Sequence, residues 1–150
     1  MTVLLSRESL PGLVGTVIGP GEWVEVTQER VNEFANASGD HQWIHVDVER
    51  AKAGPFGTTI AHGLLTLSMI AALAQGLTKF DGFKMGVNYG YEKIRFPTPV
   101  PVGSRLRVSS KIVSFEPVGA MFQTIVEYTV EREGADKPAC VAQMIFRHSV

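Results

Sequence analysis

Residues 60–77 read Ile-Ala-His-Gly-Leu-Leu-Thr-Leu-Ser-Met-Ile-Ala-Ala-Leu-Ala-Gln-Gly-Leu. This is the longest apolar stretch of the chain, broken only by His62, Gly63, Thr66, Ser68, Gln75 and Gly76. A membrane span wants about 20 predominantly apolar residues. The stretch is therefore read as a buried helix, running from about Thr58 or Ala61 to Gln75 and ended by Gly76. A helix apolar on almost every face must be covered on almost every side.

The cover lies downstream. After residue 83 the hydrophobic period changes to that of strands. Residues 85–96 form one strand, interrupted near Gly90. Residues 105–115 form a second, with Leu106, Val108 and Ile112 among its apolar positions, and 122–131 and 139–146 form the third and fourth. Residues 117–119 and 133–136 are hairpin connections. The fold class is α+β, with an antiparallel sheet curled around the helix. Such a sheet leaves edges to be managed, and pairing edge to edge in a homodimer would manage them.

Upstream the signals are shorter. Residues 1–14 carry little pattern. A strand is predicted over 14–18, a turn or bulge at Gly19-Pro20-Gly21, and a strand over 22–26. Thr27 is placed to cap a helix over 28–37, with Val31, Phe34 and Ala35 at helical spacing and a stop at Ser38-Gly39. Asp47 is placed to cap a short helix to Lys52, and residues 54–57 form a loop. No repeat or linker divides the chain, so residues 1–150 form a single domain.

With 150 residues, 45% hydrophobic and 19% charged, the composition is that of a folded protein. The net charge of −1 shows no electrostatic footprint for nucleic acid. Cys140 is the only cysteine, so no internal disulfide forms; in a strand it reads as a small core residue. The N-terminal apolar run is too short for a signal peptide and lacks a basic region. The expected compartment is the cytoplasm, with no membrane partner.

The chemistry is placed in residues 38–63. Asp40 and His45 lie five apart, which is not helical spacing, so a turn between them is needed to bring both into one site. Histidine takes a proton near neutral pH, and a carboxylate beside it can hold the same water. Gly63 opens the buried helix, where backbone N–H groups lack partners and the dipole favours negative charge; a glycine there lets a ligand approach the backbone closely, as an oxyanion hole for a carbonyl gaining enolate character requires. Singly, Asp40 is more commonly a turn residue and His45 a satisfied half-buried histidine. His41 reads as a loop residue, His62 as a helix-start residue more often than a catalyst, and His148 as inert. The four histidines form no metal-binding spacing, and no metal is expected. Nucleotide-binding glycine motifs and a GxSxG element are absent.

Taken together, Ser38-Gly39-Asp40, His45, Asp47, Ala51 and Ala61-His62-Gly63 resemble the signature of the MaoC-like, (R)-specific enoyl-CoA hydratases. Residues 96–103, Phe-Pro-Thr-Pro-Val-Pro-Val-Gly, are similar to that family's F-x-x-P-V-x-x-G element. The resemblance implies the hot dog fold, a sheet wrapped around a long central helix. It implies Asp40 and His45 as the pair that shares one water, and the Gly63 N–H as the oxyanion hole. The implied reaction is reversible syn hydration of a trans-2-enoyl-CoA to an (R)-3-hydroxyacyl-CoA. No cofactor is implied, because coenzyme A is part of the substrate. Gln42-Trp43 stands where the commonest motif has Asn-Pro, a form similar to that of nodulation protein N-like proteins. Gln42, Trp43 and His62 are accordingly candidates for substrate binding. Ser104 stands where relatives often have Asp. Lys84, Lys93 and Arg95 are candidates for the CoA phosphates, although solvated surface charge is the commoner fate of each. Ala71, Ala72 and Ala74 leave room for an acyl tail. The alternatives are an acyl-CoA thioesterase of the same fold, against which the absence of Asp or Glu from residues 64–77 counts, and a non-catalytic acyl-CoA binding protein.

Overall fold

The four segments of alternating hydrophobicity after residue 83 are all strands in the computed structural model, which describes all 150 residues. In chain order the elements are β1 (Val3–Leu5), α1 (Leu10–Leu13), β2 (Val17–Ile18), β3 (Val24–Glu25), α2 (Gln28–Ser38), α3 (Trp43–Val46), α4 (Val48–Lys52), α5 (Gly63–Leu73), β4 (Thr78–Phe80), β5 (Met85–Arg95), β6 (Arg105–Val118), β7 (Met121–Arg132) and β8 (Cys140–Ser149). The main sheet runs β2-β6-β7-β8-β5, and β3 also pairs with β6. All its pairings are antiparallel. The register of β5 on β8 shifts between Asn88 and Gly90, where the interruption is predicted.

Period-two alternation decides which face of the sheet meets the helix. On β6 and β7, Leu106, Val108, Ile112, Val126 and Val130 are fully or almost fully buried, and they share one core with Leu65, Leu67, Met69, Ile70 and Leu73 of α5. Cys140 belongs to that core, and burial pushes its thiol up to about 11. No helix is long and apolar enough to cross a membrane.

Three differences from the expectation have physical causes. The central helix is shorter than predicted at both ends: Ile60 bridges to Pro101 and the Ala61 N–H bonds the Val100 carbonyl, so residues 60–62 are held extended. At the other end the chain leaves the helix after Leu73 in tighter turns, the Gln75 N–H bonding the Ala72 carbonyl and the Leu77 N–H that of Ala74. The helix is also not covered all round. Leu64, Ser68, Ala71 and Ala72 are exposed, a stripe at helical spacing that one chain's sheet does not reach. Finally, residues 3–5 pair in parallel with 78–80, a contact far apart in sequence that three-residue segments do not announce.

His148 has a packing role. It is 3% exposed, with Phe80 and Phe83 ring centroids 4.1 and 4.6 Å away, and burial lowers its pKa. Its ring lies across Gly86, its cross-strand partner, where an added Cβ would sit 2.6 Å from two ring atoms.

Candidate active site

Two caps set up the loop that carries Asp40. The Thr27 hydroxyl accepts the Arg30 N–H and starts α2, and Gly39 ends it in the left-handed region at φ 80°. Asp40 then hangs between neighbours: its N–H donates to Ser38 Oγ at 3.2 Å, and its Oδ1 accepts the Gln42 N–H at 3.3 Å. Asp40 and Gln42 are exposed. The turn demanded by the five-residue spacing is α3, a single helical turn whose His45 N–H bonds the Gln42 carbonyl at 3.0 Å.

His45 is 6% exposed and held from two sides. Its Nδ1 lies 2.7 Å from the Ile60 carbonyl. A carbonyl can only accept, so Nδ1 is the donor, and Nε2 is the nitrogen left to exchange a proton. The Ile60 N–H returns a bond to the Ile44 carbonyl. Gln28 braces the same turn: its Nε2 donates to the His45 carbonyl at 2.8 Å, and its Oε1 accepts the Thr59 hydroxyl at 2.6 Å. Sequence reading missed Gln28 and Thr59, because only the tertiary fold brings residue 28 to residue 59.

His62 joins this pair. Its ring stacks on His45, with centroids 3.8 Å apart and 23° between planes, and its Nε2 lies 2.9 Å from the Asp40 carbonyl. Ligand-capable atoms of Asp40, His45 and His62 all lie within 4.8 Å of one another. A metal ion needs lone pairs that converge on it; two nearly parallel rings aim theirs side by side, and one nitrogen of each already faces a carbonyl. A proton donor and acceptor set is the better description.

Gly63 is the first residue of α5, and no side chain caps that end, so its N–H has no intrahelical acceptor. A Cβ added there would lie 3.1 Å from the Phe96 ring. A cavity of about 350 Å³ opens here, lined by Ile60, Ala61, Gly63, Thr66, Phe96 and Val100 among others. A larger one, about 700 Å³, lies toward the other end of α5 beside Ile70, Ala71, Ala72, Ala74, Tyr128 and Phe146.

The other candidates make contacts of their own. Trp43 packs with the Arg50 guanidinium 4.3 Å over its ring and with Gly54 against its edge. Gln42 reaches Asp40 through its backbone N–H. His41 is exposed and 3.0 Å from Asn36 Oδ1. Lys84, Lys93 and Arg95 are exposed along β5 or just before it.

Known proteins match this chain over nearly its whole length. The family model described as "MaoC like domain" matches residues 10–134. The 3-hydroxyacyl-thioester dehydratase Z of Mycobacterium tuberculosis is 52% identical over 149 residues, covering 99% of each chain. Nodulation protein N of Rhizobium leguminosarum bv. viciae is 43% identical, covering 94% of this chain and 89% of its own. Among solved structures, the unliganded R-hydratase of Pseudomonas aeruginosa superposes with a TM-score of 0.69 at 22% identity, over 91% of this chain and 81% of that one. The (R)-hydratase of A. caviae gives 0.66 at 19%, over 85% and 95%. At such identities the structures establish the fold, which is the hot dog.

Proposed function

The chain belongs to the MaoC-like dehydratase domain family, and from that premise we propose that it adds water reversibly to a trans-2-enoyl-CoA, giving an (R)-3-hydroxyacyl-CoA. The observation that carries the reading is the placing of His45: a buried imidazole with Nδ1 2.7 Å from the Ile60 carbonyl, which leaves Nε2 for water, and with ligand-capable atoms of His45 and Asp40 within 4.8 Å of each other. Such a nitrogen is ready to take a proton from water.

The steps balance without a cofactor. The water oxygen bonds C3 as His45 Nε2 takes one of its protons. The C2–C3 π pair moves toward the thioester, whose oxygen gains charge against the Gly63 N–H. Asp40 orients the water and helps pass the proton held on His45 Nε2 to C2 on the same face, so addition is syn and His45 ends the step as it began. Dehydration is the reverse, with the same groups exchanging roles. The acyl tail runs beside α5, where Ala71, Ala72 and Ala74 border the larger cavity. A homodimer covers the exposed stripe of α5 and the outer edge of β5, which has no neighbour on that side. A buried, unpaired Cys140 suits a reducing compartment, the cytoplasm.

A thioesterase of this fold would attack the carbonyl instead, with a carboxylate on the helix; α5 carries none, which favours the hydratase. The test is to follow the enoyl-thioester absorbance of crotonyl-CoA and of a longer enoyl-CoA. Loss of the band and an (R)-configured product support hydration. Release of free thiol without hydration points to the thioesterase, and binding without turnover to a carrier.

Gly63→Ala is expected to lower kcat/KM by about 10- to 100-fold, since displacing a bound group by about 1 Å costs on that order. The added methyl meets Phe96 at 3.1 Å, and that ring is 43% exposed and free to yield. Thermal unfolding should therefore change little. Full activity in this variant would remove Gly63 from the oxyanion site.

A further inference from the structure

We infer that His62 is a positioning residue, which sets the separation of Asp40 from His45 by holding the Asp40 main chain through Nε2–H and backing the His45 ring. Its place at the start of α5 would suit a simple helix-entry residue, yet its side chain gives that helix no capping bond. It is 3% exposed, and its polar atoms turn the other way. The Asp40 carbonyl can only accept, so Nε2 of His62 is the donor across the 2.9 Å contact. The Phe34 ring packs on His62 as well, with centroids 4.9 Å apart and 58° between planes. One imidazole thereby links α2, the Asp40 loop, α3 and α5.

The loop needs that link. Apart from His62, Asp40 is tied only by bonds of 3.2 and 3.3 Å to residues two positions away. Those bonds shape the turn but do not fix it relative to α3. His45, by contrast, is anchored to Ile60 and braced by Gln28. Of the two groups that must share one water, only Asp40 depends on a single long-range bond. The arrangement leaves His62 Nδ1 buried and unpartnered, which is unfavourable and which an apolar helix-entry residue would avoid.

The two contacts separate by substitution. His62→Phe keeps a ring against His45 and loses the N–H. His62→Gln keeps a donor that reaches toward the Asp40 carbonyl and loses the ring. Two readouts apply to each purified variant: kcat and KM with crotonyl-CoA, and amide hydrogen exchange of residues 39–42. The first rests on the hydratase reading and the second does not. His62→Phe should lower kcat by about 100-fold, the effect of a misplacement near 1 Å, with KM changed by no more than about threefold. Exchange over 39–42 should speed up. His62→Gln should recover kcat to within about tenfold of wild type and restore slow exchange. Equal losses in both variants, a loss confined to KM, or unchanged loop exchange in His62→Phe would each overturn the inference. If His62→Phe fails to fold by circular dichroism, His62→Asn replaces it, because its shorter amide falls short of the carbonyl. A wild type inactive on every enoyl-CoA, with the exchange pattern as described, would end the hydratase reading and leave the positioning role standing.

Discussion

Changing His45 to glutamine is expected to lower kcat for enoyl-CoA hydration by about 10²–10⁴-fold, the usual worth of a positioned acid/base group. The choice of glutamine matters. Its amide can still donate to the Ile60 carbonyl that His45 Nδ1 meets at 2.7 Å, so the join between α3 and residue 60 survives. What disappears is the basic lone pair, for which an amide has no equivalent. Folding should be nearly unaffected: a loss of about 1 kcal/mol would move the melting temperature by about 2–4 °C in a chain of this size. Affinity for a saturated acyl-CoA, measured calorimetrically, should also hold, because the group acts on water. Wild-type turnover in this variant would show that the proton goes elsewhere.

Asp40→Asn should cost a similar factor, about 10²–10⁴-fold in kcat, for a different reason. Asparagine keeps an oxygen for the Gln42 N–H and leaves the Asp40 carbonyl available to His62, so the loop keeps its shape. The variant removes a negative charge and a proton acceptor beside the water. Because both residues act on one molecule, their losses should not multiply. The double variant is expected to be scarcely slower than the worse single one. Losses that multiply would place Asp40 and His45 in separate steps, and full activity in both singles would mean that the chemistry lies elsewhere in the molecule.

The parts of the fold that were legible in the chain are those with local causes. Thr27 and Gly39 bound α2 because a hydroxyl cap and a left-handed glycine act within a few residues. The same holds for Asp47 before α4, where its Oδ1 accepts the Arg50 N–H at 3.0 Å. The long strands announce themselves by alternation. The parts that were not legible depend on partners far away. Residues 17–18 and 24–25 are strands only where they pair with β6, so alternation over 22–26 overstates the second. Ile60 leaves the helix for Pro101, which apolar periodicity cannot foresee. The site divides in the same way. Asp40, His45 and Gly63 follow from residue type and spacing, whereas the contact of His62 with a backbone carbonyl 22 residues earlier requires two elements to be docked. Trp43 illustrates the reverse case: it is conspicuous in the motif, and the contacts the fold gives it are with Arg50 and Gly54.

The imidazole laid across Gly86 constrains how this protein can change over generations. Positions 86 and 148 face each other across two strands, and any side chain at 86 would begin 2.6 Å from the ring at 148. A lineage that acquires alanine at 86 first passes through a clashing intermediate; one that first replaces His148 by a smaller residue does not. The order of substitution is therefore set by the pairing, and the two sites should drift together: a side chain at 86 is tolerated only after residue 148 has become small.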